Sequence, residues 1–152
     1  MLLPKNSTLY SPEFAIMKTN IKWVEALAFD ATADSGHTVR IDTTAEDGSI
    51  NSGMNPKKML LASLSACSGM DVVHILKLKR VAFSNLEIEA EAEQTEDHPK
   101  VFKFVNMVYR VDAKPEDFDK VKKAVDVSHE KYCGISAMLA KHCNINYSVE
   151  LV

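Results

Sequence analysis

Apolar and polar residues alternate along much of this chain, and where the alternation stops a helical spacing replaces it. From Asn20 to Ala31, Ile21, Trp23 and Glu25 fall on alternate positions, which predicts a first strand. Asp34-Ser35-Gly36 has turn composition, and His37 to Thr43 reads as the returning strand. Thr44 to Met54 contains Asp47, Gly48, Ser49, Asn51, Ser52 and Gly53, a loop by composition. Asn55-Pro56 then predicts a helix start, because Asn offers a capping oxygen and Pro in the first turn loses no needed hydrogen bond.

That helix is expected to continue to about Lys79, roughly 24 residues and hence about 36 Å. It is apolar on nearly every side, through Leu60, Leu61, Leu64, Ala66, Met70, Val72, Val73, Ile75 and Leu76. Such a helix belongs at a centre, so sheets or a partner subunit must wrap it.

Leu86-Glu87-Ile88-Glu89-Ala90-Glu91-Ala92-Glu93 alternates without error and predicts a half-buried strand with an acidic outer face. Its glutamates read as solubility and edge protection rather than as a metal-binding row. Asp97-His98-Pro99 is a turn, and Val101 to Val111 completes a hairpin. Pro115 opens another helix with Phe118, Val121 and Val125 on its core face. Ser128 to His142 continues as one helix or as a broken pair, and Asn144 to Val152 closes the chain as an alternating strand. The expected order is β-β-α-β-β-α-α-β, an α+β chain.

A length of 152 residues suits one domain that buries about two-thirds of its unfolded surface. The net charge of −3 and the scattered lysines, with Lys120, Lys122 and Lys123 on a solvated helix face, argue against a nucleic-acid partner. The longest apolar stretch, Met59 to Leu78, is interrupted by Ser63, Ser65, Ser68, Asp71, His74 and Lys77, and is read as no membrane span. Residues 1–16 lack the basic start and apolar core of a signal peptide and are expected to be an N-terminal extension or leader. Three cysteines, an odd number, point to a reducing, cytoplasmic setting in which thiols are kept for chemistry or buried as small hydrophobes.

Candidate chemistry rests on those thiols. Cys67 comes about a dozen residues after the helix start, beyond the reach of the helix dipole. An unperturbed thiol, with a pKa of about 8.5, is mostly protonated at neutral pH, so a reactive Cys67 needs a cation or donors from another segment. Cys133 would gain from a helix dipole only if a new helix begins near Tyr132. Cys143, at the junction of helix and strand, reads as a packing residue. His74 reads as a polar residue near the helix surface. Asp71, four residues after Cys67, shares its helical face. Cys67 with His74, or Cys133 with His129 and His142, lacks the close ligand pairs of a structural zinc site, so no metal is expected.

Taken together, Asn55-Pro56, Met59-Leu60-Leu61-Ala62, Ala66-Cys67 and Tyr132-Cys133-Gly134-Ile135-Ser136 stand in an arrangement that resembles the OsmC/Ohr family of hydroperoxide-handling proteins. Lys22-Trp23-Val24-Glu25, Asp71-Val72-Val73 and Val127-Ser128-His129-Glu130-Lys131-Tyr132-Cys133 are similar to a particular OsmC-like branch. The resemblance spans about Asn20 to Val152 and makes residues 17–152 an OsmC-like domain. It implies an OsmC-like fold, with antiparallel sheets wrapping a long central helix in an intertwined homodimer. It also implies a thiol-dependent peroxidase acting on organic hydroperoxides, with Cys67 as the peroxidatic and Cys133 as the resolving residue. A dithiol reductant would restore the pair, with no bound cofactor and no nucleic-acid or membrane partner. The substrate pocket would lie near Met70 and Val73. The chain departs from the family at Lys57, where a glutamate usually helps to hold an activating arginine. Of Arg40, Arg80 and Arg110, Arg40 is the most plausible arginine by chain order. Lys57 favours the alternatives, a non-catalytic dimeric stress or ligand-binding protein, or a thiol redox sensor.

Overall fold

The computed structural model describes residues 16–152. The expected extension over residues 1–16 therefore lies, apart from Ile16, outside the described residues. The chain divides into two compact units, one ending at Pro56 and the other beginning at Lys57.

The first unit holds an antiparallel sheet of β1 (Thr19–Glu25), β2 (Ala28–Ala33) and β3 (Thr38–Ile41), in that order. The single strand expected from Asn20 to Ala31 is two. A tight turn at Ala26 and Leu27 separates them, with Ala26 at φ 44° and the Trp23 indole donating to the Ala26 carbonyl at 3.0 Å. Neither turn residue is a glycine or asparagine, so the break leaves no compositional signal. The next turn carries the usual mark, Gly36 at φ 83°.

The loop from residue 42 to residue 55 is organised by Asp42, which is 2% exposed. Its carboxylate accepts from the Ser49 hydroxyl, from the Thr43 N–H at 2.7 Å and from both the N–H and hydroxyl of Ser52 at 2.7 Å. Burial raises its pKa, but these donors outweigh burial and hold the carboxyl far below the ordinary range.

The second unit is built on α1 (Pro56–Leu78), which starts at the predicted proline and ends within a residue of the predicted stop. Its buried stripe is Leu64, Ser68, Val72, Ile75 and Leu76, while Leu60, Met70 and Leu78 stay exposed. By length and composition α1 could cross a membrane, contrary to the sequence reading, although the core helix of a globular unit passes the same test. Here its stripe joins the hydrophobic core of the unit.

A sheet ordered β4 (Phe83–Gln94), β5 (Phe102–Ala113), β6 (Asn144–Leu151) supplies the rest of that core. β4 and β5 pair antiparallel, whereas β6 runs parallel to β5. A parallel neighbour needs a long crossover, here residues 114–143. That crossover holds a 3₁₀ turn (Pro115–Asp117), α2 (Phe118–Val127), a π turn (Ser128–Tyr132) and α3 (Gly134–Leu139). Val105, Met107, Tyr109 and Val111 of β5 and Val121, Ala124 and Val125 of α2 are all buried in the core. Gly69 marks a close approach of α1 to the sheet, since a Cβ there would sit 2.9 Å from Ile88 Cδ1. On the outer face, Glu89 pairs with Arg110, Glu91 with Asn106 and Glu93 with Lys103, so the acidic row of β4 is matched across the hairpin.

Candidate functional site

Cys67 and Cys133 come together. The first is held on α1, half-buried, and the second lies at the break between the π turn and α3, 2% exposed. The break answers the question left open by the sequence. The Cys133 N–H closes the π turn on the Ser128 carbonyl at 2.8 Å, and Cys133 itself is extended at φ −70°, ψ 98°. It then caps α3, its sulfur accepting the Ser136 N–H at 3.3 Å. Single π turns within helical segments recur at functional sites because they re-aim one side chain.

This cap does not activate the thiol. Burial raises the Cys133 pKa, a hydrogen bond with Cys67 and the charges of Cys67 and Asp71 raise it further, and the single Ser136 N–H opposes them. Cys133 is therefore held protonated. The advantage expected from a fresh helix start is outweighed by loss of solvent.

Asp71 completes the group. A ligand atom from each of Cys67, Asp71 and Cys133 lies within 4.8 Å of the others. The Ser128 hydroxyl donates to Asp71 Oδ2 at 3.0 Å and is also 3.0 Å from Ser68 Oγ. Ser128 has one proton to give, and the charged carboxylate is the stronger acceptor. The polar chain then orients itself. Ser136 donates to His129 Nδ1 at 2.8 Å, His129 Nε2–H to Tyr109 Oη at 2.8 Å, and Tyr109 to Ser68 at 2.6 Å. Ser68 Oγ, which accepts from Tyr109, lies against the Ser128 hydroxyl, and that hydroxyl donates to Asp71. The path thus runs from Ser136 through His129, Tyr109, Ser68 and Ser128 and ends on the Asp71 carboxylate.

Sequence reasoning missed this path. Tyr109 is a strand residue and Ser68 an interruption in an apolar helix. His129 enters the sequence reading as a candidate metal ligand with Cys133 and in a family-like motif, not as a partner of Tyr109. The one available signal was polar residues at core-facing positions, which must find partners.

His129 gives the path a pH dependence. Its ring stacks on Tyr147 with centroids 4.3 Å apart and meets Tyr109 edge-on. Burial lowers its pKa from the ordinary 6.5, opposed by the charge of Asp126. The folded state thus binds fewer protons than the unfolded one as pH falls below 6.5, and stability is lost in that window. The thermal midpoint of the wild type should fall on acidification from 6.5 toward about pH 5, and less steeply in His129→Gln. Parallel slopes would show that other groups govern the acid limb.

The remaining candidates lie elsewhere. Cys143 is 8% exposed with its sulfur 3.6 Å from the Leu139 carbonyl, as a packing residue should be. His74 is exposed. Lys57 bonds the Gln94 side chain. Arg110 is taken by Glu89 at 2.8 Å and Glu150 at 3.1 Å, and Arg40 by Asp30 at 2.5 Å. A cleft of about 250 Å³ is lined by Lys57, Leu60, Val101, Phe102, Leu139 and Cys143 among others, and contains neither Met70 nor Val73. A second, of about 240 Å³, opens beside His129, Ser136 and Tyr147.

The chain matches the OsmC-like protein family over residues 47–148. It is 35% identical to Protein YhfA of Escherichia coli (strain K12) across 136 residues, which is 90% of this chain and 98% of that protein. A hypothetical protein from Aquifex aeolicus VF5 superposes with TM-score 0.78 at 27% identity, covering 90% of this chain and 96% of the other. The organic hydroperoxide resistance protein OhrB of Bacillus subtilis shares the fold at TM-score 0.61 and 23% identity, covering 89% and 98%.

Proposed function

The chain belongs to the OsmC-like protein family, and from that premise we propose that it is a thiol-dependent peroxidase for organic hydroperoxides. In this reading residues 17–152 make one OsmC-like domain that works as a homodimer in the cytoplasm. The observation that carries the proposal is the contact of two reduced cysteines from distant segments, one half-buried and one enclosed. That asymmetry divides the roles. A peroxide reaches the half-buried Cys67 first. Its thiolate attacks the O–O bond, the sulfur is oxidised to sulfenic acid, and the leaving alkoxide takes a proton to become the alcohol.

The enclosed Cys133 then closes the cycle. Its sulfur displaces hydroxide from the Cys67 sulfenic acid, its proton goes to that hydroxide, and water leaves as the disulfide forms. A thiol held protonated suits this second step because the proton it carries is the one the leaving group needs. An external dithiol is oxidised to reduce the disulfide again. A relative named for organic hydroperoxide resistance and the apolar surroundings of the pair support alkyl peroxides over hydrogen peroxide.

Reduced protein given one equivalent of cumene hydroperoxide should lose the mass of two hydrogens and two free thiols per chain, with Cys67 and Cys133 crosslinked on peptide mapping. Turnover with cumene hydroperoxide should exceed that with hydrogen peroxide. Unchanged thiols would sink the reading in favour of a ligand-binding protein, which the Lys57–Gln94 pairing in place of an arginine-holding glutamate supports. A crosslink without turnover would make it a redox sensor.

A further inference from the structure

We propose that Cys67, Asp71 and Cys133 form a three-ligand site for a thiophilic divalent cation of the Zn²⁺ type. The inference stands on the geometry of the three side chains and goes beyond the peroxidase reading, which needs only the two sulfurs.

Two thiols and a carboxylate present their ligand atoms within 4.8 Å of one another. Zn–S bonds of about 2.3 Å place tetrahedral ligand atoms a little under about 4 Å apart, so the group need contract by no more than about 1 Å. Two of the ligands, Cys67 and Asp71, stand four residues apart on one face of α1, and the third arrives from the chain break at Cys133.

Asp71 and Cys133 are already oriented from behind. The Ser128 hydroxyl holds Asp71 at 3.0 Å, and the Ser136 N–H points at the Cys133 sulfur at 3.3 Å. Such outer contacts fix ligand direction in metal sites and strengthen it. Soft thiolates select Zn²⁺ and related ions over Mg²⁺ or Ca²⁺, and three protein ligands leave a fourth position for water. The half-exposed Cys67 gives the ion an entry. On binding, both thiols lose their protons to the buffer as two metal–sulfur bonds form, with no change in oxidation state. The bound cation then occupies the sulfur that would attack a peroxide, so metal and oxidant compete for one pair of thiols.

The test uses the full chain, reduced, metal-free and kept anaerobic, titrated with Co²⁺ as a spectroscopic probe. One equivalent per chain should produce a thiolate-to-cobalt charge-transfer band together with the intense visible absorption of a tetrahedral ion, and Zn²⁺ should bleach both. Asp71→Asn, near-isosteric, should weaken Co²⁺ binding by at least about tenfold, and Ser128→Ala should weaken it measurably through the freed carboxylate. In the wild type, Zn²⁺ should slow alkylation of Cys67 and Cys133 and leave Cys143 unaffected. Absence of the charge-transfer band, Co²⁺ binding unchanged in Asp71→Asn, or equal protection of all three thiols would overturn the site. Peroxide consumption by the metal-free protein is measured separately. Loss of that activity with the cobalt spectrum intact removes the peroxidase reading alone, and the converse removes the cation site alone.

Discussion

Cys67→Ser is expected to lower steady-state consumption of cumene hydroperoxide by about 10³-fold or more, the scale on which loss of an attacking nucleophile is felt. The serine keeps the size of the side chain and removes the sulfur that accepts the peroxide oxygen in the proposed mechanism. Cys133→Ser should behave differently. Its Cys67 can still be oxidised once, so the protein should gain the mass of one oxygen and hold it as a sulfenic acid that a dimedone probe captures. Multiple turnover should fail with a thioredoxin-type dithiol, because no intramolecular disulfide is formed for it to reduce. Cys143→Ser is the internal control. That sulfur packs against the Leu139 carbonyl and is not part of the Cys67–Asp71–Cys133 group, and its loss should leave the rate unchanged. A Cys67→Ser protein as active as wild type would end the thiol mechanism. Equal loss from Cys143→Ser would show that the assay is reading stability.

How much of this was legible in the sequence depends on whether the determining interactions are local. The run Leu86 to Glu93 reads correctly because a strand with one wet face must alternate, and the register of β4 on β5 keeps its glutamates outside. The helix start at Pro56 reads correctly because proline imposes it sterically. The broken helix near Cys133 was legible only as an alternative, since nothing within a few residues decides between an α and a π turn there. The Ala26 turn carried no marker at all. It closes because a tryptophan three residues earlier reaches back to its carbonyl.

The site was legible as two cysteines and not as a constellation. Asp71 was placed on the right face of α1 by helical spacing alone. The path that ends on it joins residues 57 and 60 positions apart in the chain, at Asp71 with Ser128 and Ser68 with Ser128. It also joins Ser68 to Tyr109 and Tyr109 to His129, from α1 through β5 to the π turn. No periodicity encodes which hydroxyl meets which across a core. What can be read is the anomaly, a serine at a position facing apolar neighbours, and each such residue is a request for a partner that only the fold supplies.

Leu76→Ala should remove about 2–5 kcal/mol of stability. Leu76 has no exposed surface and belongs to the stripe that α1 presents to β5 and α2, so its loss leaves a cavity that helix and sheet cannot both close around. Against a total of about 5–15 kcal/mol for a chain of this kind, the midpoint should drop by on the order of 10 °C. Urea unfolding should show a lower midpoint with an unchanged slope. Met70→Ala makes the comparison informative, because Met70 lies on the same helix and is 72% exposed. In an isolated chain that substitution should change stability by less than about 0.5 kcal/mol. If a second copy covers the exposed face of α1, Met70→Ala should be damaging too. Its penalty should then grow with the fraction of dimer and shrink on dilution, because association stabilises by mass action. A small Leu76→Ala effect would mean that the stripe is not the core of the unit. A concentration-independent and negligible Met70→Ala effect would leave the all-round apolarity of α1 without the partner it calls for.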